Sequence, residues 1–435
     1  MKTIDKIPTT KIQRASKMLK FGSQVGVNYI KYFGEKIISD PLSAKDRLDV
    51  ANAEDIYTGL SELKGSALKV AQMMSMDKEL LPKAFVEKFS LAQFSVPPLS
   101  PPLSKKVITK ELGADPKKKF DRINYTSTFA ASIGQVHEAW IADKKFALKV
   151  QYPGVAESIS SDLNLIKPFA LRMFNLKSAE VEDYFLEVKN KLYEETDYEL
   201  ELDQLIEISS ACSHIDGLVF PEAFRAYSSK KLLTMEWMEG LHLSEYTQTN
   251  PSIEARNKIA QTLWDFFMYQ IHVLQKVHAD PHPGNFLVND KNELIALDFG
   301  CVKVLPKAFY EPYFELTKVE NINNSEKLLE LLDQLEMVLE TDSIEEKSLL
   351  TATFKEVLAV LNKPFQFEKF DFSQPEYFNE LLKLGGTLKD DKRLRKLNGS
   401  RGSKHFLYVN RTLFGLLGLM NSLNAGPVSV MNYKK

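Results

Sequence analysis

The chain has 435 residues, 44% of them hydrophobic and 26% charged, which is ordinary for a folded globular protein and enough to bury a large core. A formal net charge of -2 excludes the basic footprint of a nucleic-acid binder. Its two cysteines, Cys212 and Cys301, lie far apart, which excludes a disulfide framework and points to a reducing compartment. No run of about 18 apolar residues is present, and the best candidate, Thr412 to Leu423, is too short to span a membrane. The N-terminus lacks the apolar core and cleavage site of a secretory signal. The expected location is therefore the cytoplasm.

In chain order, residues 1–45 are mixed and basic, and Pro41 interrupts them. Residues 46–90 predict helix, because Leu60, Leu63, Ala67, Ala71 and Met74 recur at spacings of three and four. On that helix Gly65, Lys69 and Gln72 fall on the opposite side. The proline-rich run Val96 to Pro102 is a stiff linker and marks a boundary. Ser132 to Val136 and Phe146 to Gln151 predict two strands, joined as a hairpin through Trp140 to Lys145. Residues 180–210 predict an acidic helix, and Lys231 to Met235 a buried strand. Residues 255–277 predict a long amphipathic helix with Ile259, Leu263, Phe266, Phe267, Ile271 and Leu274 on its apolar side. A turn-rich segment, His278 to Asn285, is followed by a strand pair through Phe286 to Val288 and Leu294 to Leu297, and residues 305–435 are mostly helical. This order predicts an α+β, bilobal protein-kinase-like fold. Residues 1–100 form its N-terminal helical extension, 101–240 its N-lobe and 241–435 its helical C-lobe.

Three strings carry chemistry. Asp280-Pro281-His282-Pro283-Gly284-Asn285 places an asparagine five positions after an aspartate, the spacing of a kinase catalytic loop. The aspartate can orient or deprotonate an acceptor hydroxyl or water, and the asparagine oxygen can hold a metal ion. Asp298-Phe299-Gly300 follows an apolar strand, thirteen residues past Asn285, and its carboxylate suits magnesium bridging nucleotide phosphates. Phe146-Ala147-Leu148-Lys149-Val150 is a strand with one lysine among apolar residues, and such a lysine needs an anion or a carboxylate. The acidic helix offers Glu194, Glu195, Asp197, Glu199 and Glu201 as partners, and composition alone does not choose among them. Each string also has a bland reading: a surface turn, a chance tripeptide, an exposed edge-strand lysine. Where a kinase has a glycine-rich loop, this chain has Phe129-Ala130-Ala131-Ser132-Ile133-Gly134, stiffer than its glycine counterpart.

Four motifs resemble those of the UbiB-like (AarF-domain) atypical kinases and occur along the chain in that family's order. They are the alanine-rich loop Ala130 to His137, the loop His278 to Asn285, Leu68-Lys69-Val70-Ala71-Gln72 in place of a lysine-x-glycine-glutamine element, and Glu195-Thr196-Asp197-Tyr198 in place of a glutamate-x-aspartate element. The resemblance spans about residues 55–305 and departs from the family at Ala71, where glycine is usual, and at Phe129, where a small residue is common. It implies that Lys149 meets nucleotide phosphates with Glu201 as its helix partner, and that Lys69 and Gln72 meet Glu195 and Asp197. It implies that Ala130, Ala131 and Ser132 line the nucleotide, with Met235 to Met238 as the adenine-side hinge and Glu236 and Met238 as its contacts. Asp280 would be the catalytic aspartate, with Asn285 and Asp298 as metal ligands.

By the same resemblance the cofactors are ATP and Mg2+, and the N-terminal extension packs over the active site and obstructs a protein substrate. The implied activity is that of an ATPase or small-molecule kinase. The family is associated with isoprenoid quinone (coenzyme Q-type) biosynthesis and lipid homeostasis, so the expected partner beside ATP is a quinone precursor or lipid. Lys389, Lys392, Arg393, Arg395, Lys396, Arg401 and Lys404 precede the apolar stretch Phe406 to Met420. They read either as a solvated loop before a core helix or as a peripheral contact with the inner face of a membrane. Two other functions compete: a phosphotransferase of the aminoglycoside or choline kinase type, and a non-catalytic scaffold switched by nucleotide.

Overall fold

The structure is a computed structural model, and it describes residues 13–14, 16, 23–25, 27–32, 41–63, 65–70, 83–90, 98–131, 133–173, 178–391, 393–394, 397 and 401–430. It divides into two compact units, Met1–Asp203 with Glu222–Trp237, and Gln204–Pro221 with Met238–Lys435.

The first unit opens with helix α1 (Pro41–Leu63). The expected helix through residues 46–90 does not run unbroken: it stops at Leu63, Gly65 adopts a left-handed φ of 67°, and residues 66–70 are helical again. A Cβ on Gly65 would lie 2.8 Å from a Val155 methyl, so the glycine serves both the turn and a close approach. Leu60, Leu63 and Ala67 do share one core, with Phe85, Phe89, Ile159, Leu163 and Leu192. Ala71 and Met74 lie outside the described residues. The break is fastened by Arg14, which donates to both Asp162 carboxylate oxygens at 2.6 Å and to the Leu63 carbonyl at 3.0 Å.

A five-stranded sheet follows. Strands β1 (Gly134–Ile141) and β2 (Lys144–Gln151) form its central hairpin; β1 starts at Gly134 rather than Ser132 and runs on past Val136 to Ile141, and β2 starts at Lys144 rather than Phe146. Only Ala142 and Asp143 join them, so the turn is tighter than the expected Trp140–Lys145 connection. Ala142 takes a left-handed φ of 48°, and its N–H is caught by the Asp121 carboxylate at 2.7 Å. Alternation along β2 sends Phe146, Leu148 and Val150 into a core with Ile108, Leu112 and Phe120, under helix Pro101–Leu112. Ala147, Lys149 and Gln151 consequently face the other way. Helices α2 (Val155–Met173), α3 (Ser178–Glu195) and α4 (Tyr198–Cys212) come next. The acidic stretch is thus two helices, parted at Thr196–Asp197. Strand β3 (Leu232–Glu236) closes the sheet against β2, with Leu233 opposite Lys149.

The second unit is built on α5 (Ile253–Tyr269), capped by Ser252, whose hydroxyl accepts from the Ala255 N–H at 3.2 Å. Ile259, Leu263, Phe266 and Phe267 are buried as the periodicity predicts. The helix ends earlier than expected: Gln270–Leu274 forms a π-turn, and Lys276–His278 is a strand. Strands β4 (Phe286–Val288) and β5 (Leu294–Ala296) pair as the sequence indicates. Their turn is fixed by the Asn289 side chain, which accepts from the Lys291 and Glu293 N–H groups at 3.0 and 2.9 Å. The rest is largely helical and ends with α6 (Lys404–Ser422) and a short strand pair, Lys369–Asp371 with Pro427–Ser429. No helix among the described residues is long and apolar enough to cross a membrane.

Candidate active site

In the first unit the strand alternation that buries Leu148 turns Lys149 to the face where α4 lies. The Lys149 ammonium sits 2.6 Å from Glu201 Oε1, and the glutamate side chain is only 3% exposed. Glu201 is the residue implied by the family resemblance. Its neighbours go elsewhere: Glu195 pairs with Lys69 at 3.0 Å and Asp197 with Lys230 at 3.3 Å. The break at Thr196–Asp197 makes this choice. Asp197 caps the new helix by accepting from the Leu200 N–H at 3.3 Å, and Glu201 follows one turn later on the inner side. Gln151, on the Lys149 face, ties the sheet to the same break by donating to the Thr196 carbonyl at 2.9 Å.

The alanine-rich loop is a closed turn, in which Ala131 donates its N–H to the Gly134 carbonyl at 2.8 Å. That donor is therefore committed within the loop. Ala130 continues the ladder opposite Gln135, and Ser132 lies outside the described residues, as does Gln72. Phe129 stacks on Trp237 with ring centroids 6.2 Å apart, and Lys145 lies 4.0 Å over the same indole. At the expected hinge, Glu236 ends β3, and Trp237 donates its N–H to the Lys145 carbonyl at 3.1 Å. The division between the two units falls between Trp237 and Met238.

In the second unit Asp280 and Asn285 come together. Asn285 Nδ2 donates to the Asp280 carbonyl at 2.9 Å and to its carboxylate Oδ2 at 3.2 Å. The prolines and a short turn at Pro283–Asn285 keep this loop irregular, and His282 Nδ1 accepts from the Gly284 N–H at 3.0 Å. The β4–β5 hairpin carries Asn285 and Asp298 at the same end, since the Leu297 N–H donates to the Asn285 carbonyl at 3.0 Å. Asp298 Oδ1 accepts from the Gly300 N–H at 2.9 Å. His278 Nε2 contacts the Asp298 carbonyl, so one buried imidazole joins both motifs. Gln270, in the π-turn, supports that histidine through the main chain, its side-chain Oε1 accepting from the His278 backbone N–H at 2.9 Å.

Two residues of this constellation escaped the sequence reading. His278 was only part of a motif string. Arg411 lay in a stretch valued for its apolarity, yet its Nη2 is 2.6 Å from Asp280 Oδ1. An arginine alone among apolar residues requires a carboxylate, which is the argument that singled out Lys149. Helix α6 is packed into the second unit: Tyr408, Val409, Thr412, Leu416 and Met420 are buried. Of the basic residues before it, Arg393 pairs with Asp391 and Arg401 with Asp342. Lys392, Arg395 and Lys396 lie outside the described residues.

The donors suit magnesium. The Asn285 amide oxygen and the Asp298 carboxylate are hard oxygen ligands, and magnesium is commonly held by one or two such groups together with substrate phosphates. No group of three His, Cys, Asp or Glu among the described residues makes a dedicated metal cage. Lys149 and its buried glutamate supply a fixed cation of the kind that pairs with nucleotide phosphates.

Residues 91–332 match the ABC1 atypical kinase-like domain. The chain is similar to "Atypical kinase COQ8, mitochondrial" of Saccharomyces cerevisiae, 29% identical over 379 residues that cover 84% of this chain and 74% of that protein. It is similar to "Atypical kinase COQ8B, mitochondrial" of Danio rerio, 29% identical over 383 residues, 84% of this chain and 60% of that protein. "AarF domain-containing protein kinase 1" of Xenopus laevis is 33% identical over 263 residues, 58% of this chain and 50% of that protein. Among solved structures, the complex of Rv3197 with erythromycin from Mycobacterium tuberculosis has the same fold: TM-score 0.60 at 24% identity, covering 90% of this chain and 97% of that one. These matches bear out both the kinase-like α+β fold and the resemblance read from the four motifs. The chain belongs to the ABC1 atypical kinase-like family, the group that includes the COQ8 and AarF-domain kinases.

Proposed function

We propose that the protein binds Mg-ATP and transfers its terminal phosphoryl group to water or a small molecule, in support of isoprenoid quinone or lipid metabolism. The observation that carries the reading is the ion pair between Lys149 and the nearly buried Glu201 at 2.6 Å. A buried pair of this kind is a poor investment in stability alone, and it is the arrangement that orients nucleotide phosphates in kinase folds. When bound, the nucleotide supplies the phosphoryl group and magnesium neutralises its charge. In this reading Lys149 holds phosphate oxygens, Asn285 and Asp298 hold the metal, and Asp280 orients the acceptor oxygen and takes its proton. Lys69, bound to Glu195, belongs to the same machinery, with Asp197 and Gln72. Ala130, Ala131 and Ser132 border the nucleotide, and Glu236 and Met238 meet its base.

The quinone or lipid role rests on the family alone. The yeast and zebrafish relatives are named as mitochondrial kinases, whereas this chain is read as cytoplasmic, with contact at the inner face of a membrane as one of the two readings of its basic cluster. Magnesium-dependent release of phosphate from ATP by the purified chain, with and without added lipid, tests the reading. Asp298→Asn should abolish the signal while leaving the melting temperature within a few degrees. Equal turnover by the variant and the wild type would refute it.

A further inference from the structure

We propose that Arg411, carried by the C-terminal helix, is a catalytic residue whose guanidinium bridges the Asp280 carboxylate and the phosphoryl group in flight. The inference rests on the phosphoryl-transfer reading above and deepens it. The loop that holds Asp280 reads His278-Ala279-Asp280-Pro281-His282-Pro283-Gly284-Asn285 and contains no lysine or arginine. A transferring phosphoryl group spreads negative charge over its three equatorial oxygens, and kinases and GTPases set fixed cations against that charge. Here a cation arrives from 131 residues further along the chain: Arg411 Nη2 donates to Asp280 Oδ1 at 2.6 Å.

The contact is built by packing and is not a chance surface pair. Gly415, one turn after Arg411, presses on Pro281 so closely that a Cβ would stand 2.1 Å from the proline ring. Tyr408, one turn before, shares a buried cluster with Ala279 and Cys301. Both members of the ion pair nonetheless keep about a fifth of their side-chain surface exposed, 21% for Arg411 and 23% for Asp280. A fully buried pair is closed to any substrate, whereas a pair that must also meet one needs a partly open edge. Asp280 is held from two sides, Arg411 on Oδ1 and Asn285 on Oδ2. A guanidinium presents five N–H donors in one plane, so it can grip a carboxylate along one edge and phosphoryl oxygens along another.

In the step itself, the acceptor oxygen forms its bond to phosphorus and gives up its proton to Asp280. The bond to the departing diphosphate breaks, and its electron pair leaves with ADP. Arg411 offsets the charge on the oxygens between them.

The test uses the full chain as wild type, Arg411→Ala and Arg411→Lys. Three quantities are measured: magnesium-dependent ATP turnover, affinity for a non-hydrolysable ATP analogue, and affinity for ADP with aluminium fluoride, which mimics the transferring group. The expected result for Arg411→Ala is a fall in turnover of about 100- to 1,000-fold, the usual effect of losing one transition-state donor. Analogue affinity should stay within about threefold, and the ADP–aluminium fluoride complex should be lost. Added guanidinium ion should restore part of the turnover of Arg411→Ala, and Arg411→Lys should fall between the two. Unchanged turnover and unchanged aluminium fluoride binding would overturn the proposal. So would an equal loss of affinity for both nucleotides with a lowered melting temperature, because Arg411 would then only hold the loop. If the wild type itself binds no nucleotide with magnesium, the phosphoryl-transfer reading fails first and this proposal falls with it.

Discussion

Tyr198 lies directly against Gly134, so that a Cβ on the glycine would stand 2.6 Å from the tyrosine hydroxyl and 2.7 Å from the Val150 carbonyl oxygen. The same ring lies 5.3 Å from the Lys149 ammonium. The end of the alanine-rich loop, the start of the helix bearing Glu201 and the lysine strand therefore meet at one point. Gly134 is needed there for space, and its φ is not in the left-handed region.

Gly134→Ala should therefore destabilise the first unit by about 1–3 kcal/mol, the range of an overpacked core site whose neighbour is backbone. The added methyl cannot be accommodated by the tyrosine alone, because the Val150 carbonyl belongs to the sheet ladder. Denaturant unfolding measures the loss. A midpoint equal to wild type would show that the loop shifts freely.

The Lys149–Glu201 pair should respond asymmetrically to removal of either partner. Lys149→Met leaves the Glu201 carboxylate, 3% exposed, without its cation and should cost about 3–5 kcal/mol. Glu201→Gln keeps the shape and removes the charge, and the lysine it releases is 18% exposed, so the cost should be smaller. Thermal melts of the two variants and of Lys149→Met/Glu201→Leu check the order. The double variant should recover part of the loss, and a double variant as unstable as Lys149→Met would contradict the account.

Two glycines on one helix offer a matched comparison. Gly415→Ala drives a Cβ to 2.1 Å from the Pro281 ring, whereas a Cβ on Gly418 meets nothing within 4 Å. Gly418→Ala should be neutral or stabilise by up to about 1 kcal/mol, the helix-propensity gain. Gly415→Ala should push the helix from the loop, separate Arg411 from Asp280 and lower ATP turnover at least tenfold. Similar activity in both variants would show that the helix and the loop are not coupled.

Acid should weaken the first unit through His137. Burial holds its imidazole down at about 4, against an ordinary value of 6.5, even though the backbone carbonyls of Asn124 and Thr126 favour the charged form. The unfolded chain takes up this proton near pH 6.5 and the folded chain only near pH 4. Stability therefore falls as pH drops through that window and changes no further from this group below it. The full effect is roughly 3 kcal/mol. His137→Gln should flatten the pH dependence of unfolding between pH 6.5 and 4, as followed by denaturant midpoint. An unchanged slope would place the acid sensitivity elsewhere.

By itself the sequence determined what short-range patterns carry. A lysine in an apolar strand, the Asp280-to-Asn285 loop, Asp298 after its strand and the periodic face of α5 are each contiguous strings whose geometry follows from alternation, helical repeat or turn chemistry. Only the tertiary structure decided which long-range partners meet. Glu201 is chosen from a run of acids because the chain breaks at Thr196–Asp197 and starts a new helix. Gly65 interrupts a helix whose apolar spacing looked continuous, since spacing does not register one left-handed residue. Arg14 reaches Asp162, 148 residues away, and Arg411 reaches Asp280, 131 away. For the three ion pairs the physical reason is the same. A buried charge must find an opposite charge, but that rule fixes only the kind of partner, and packing of distant segments fixes which one.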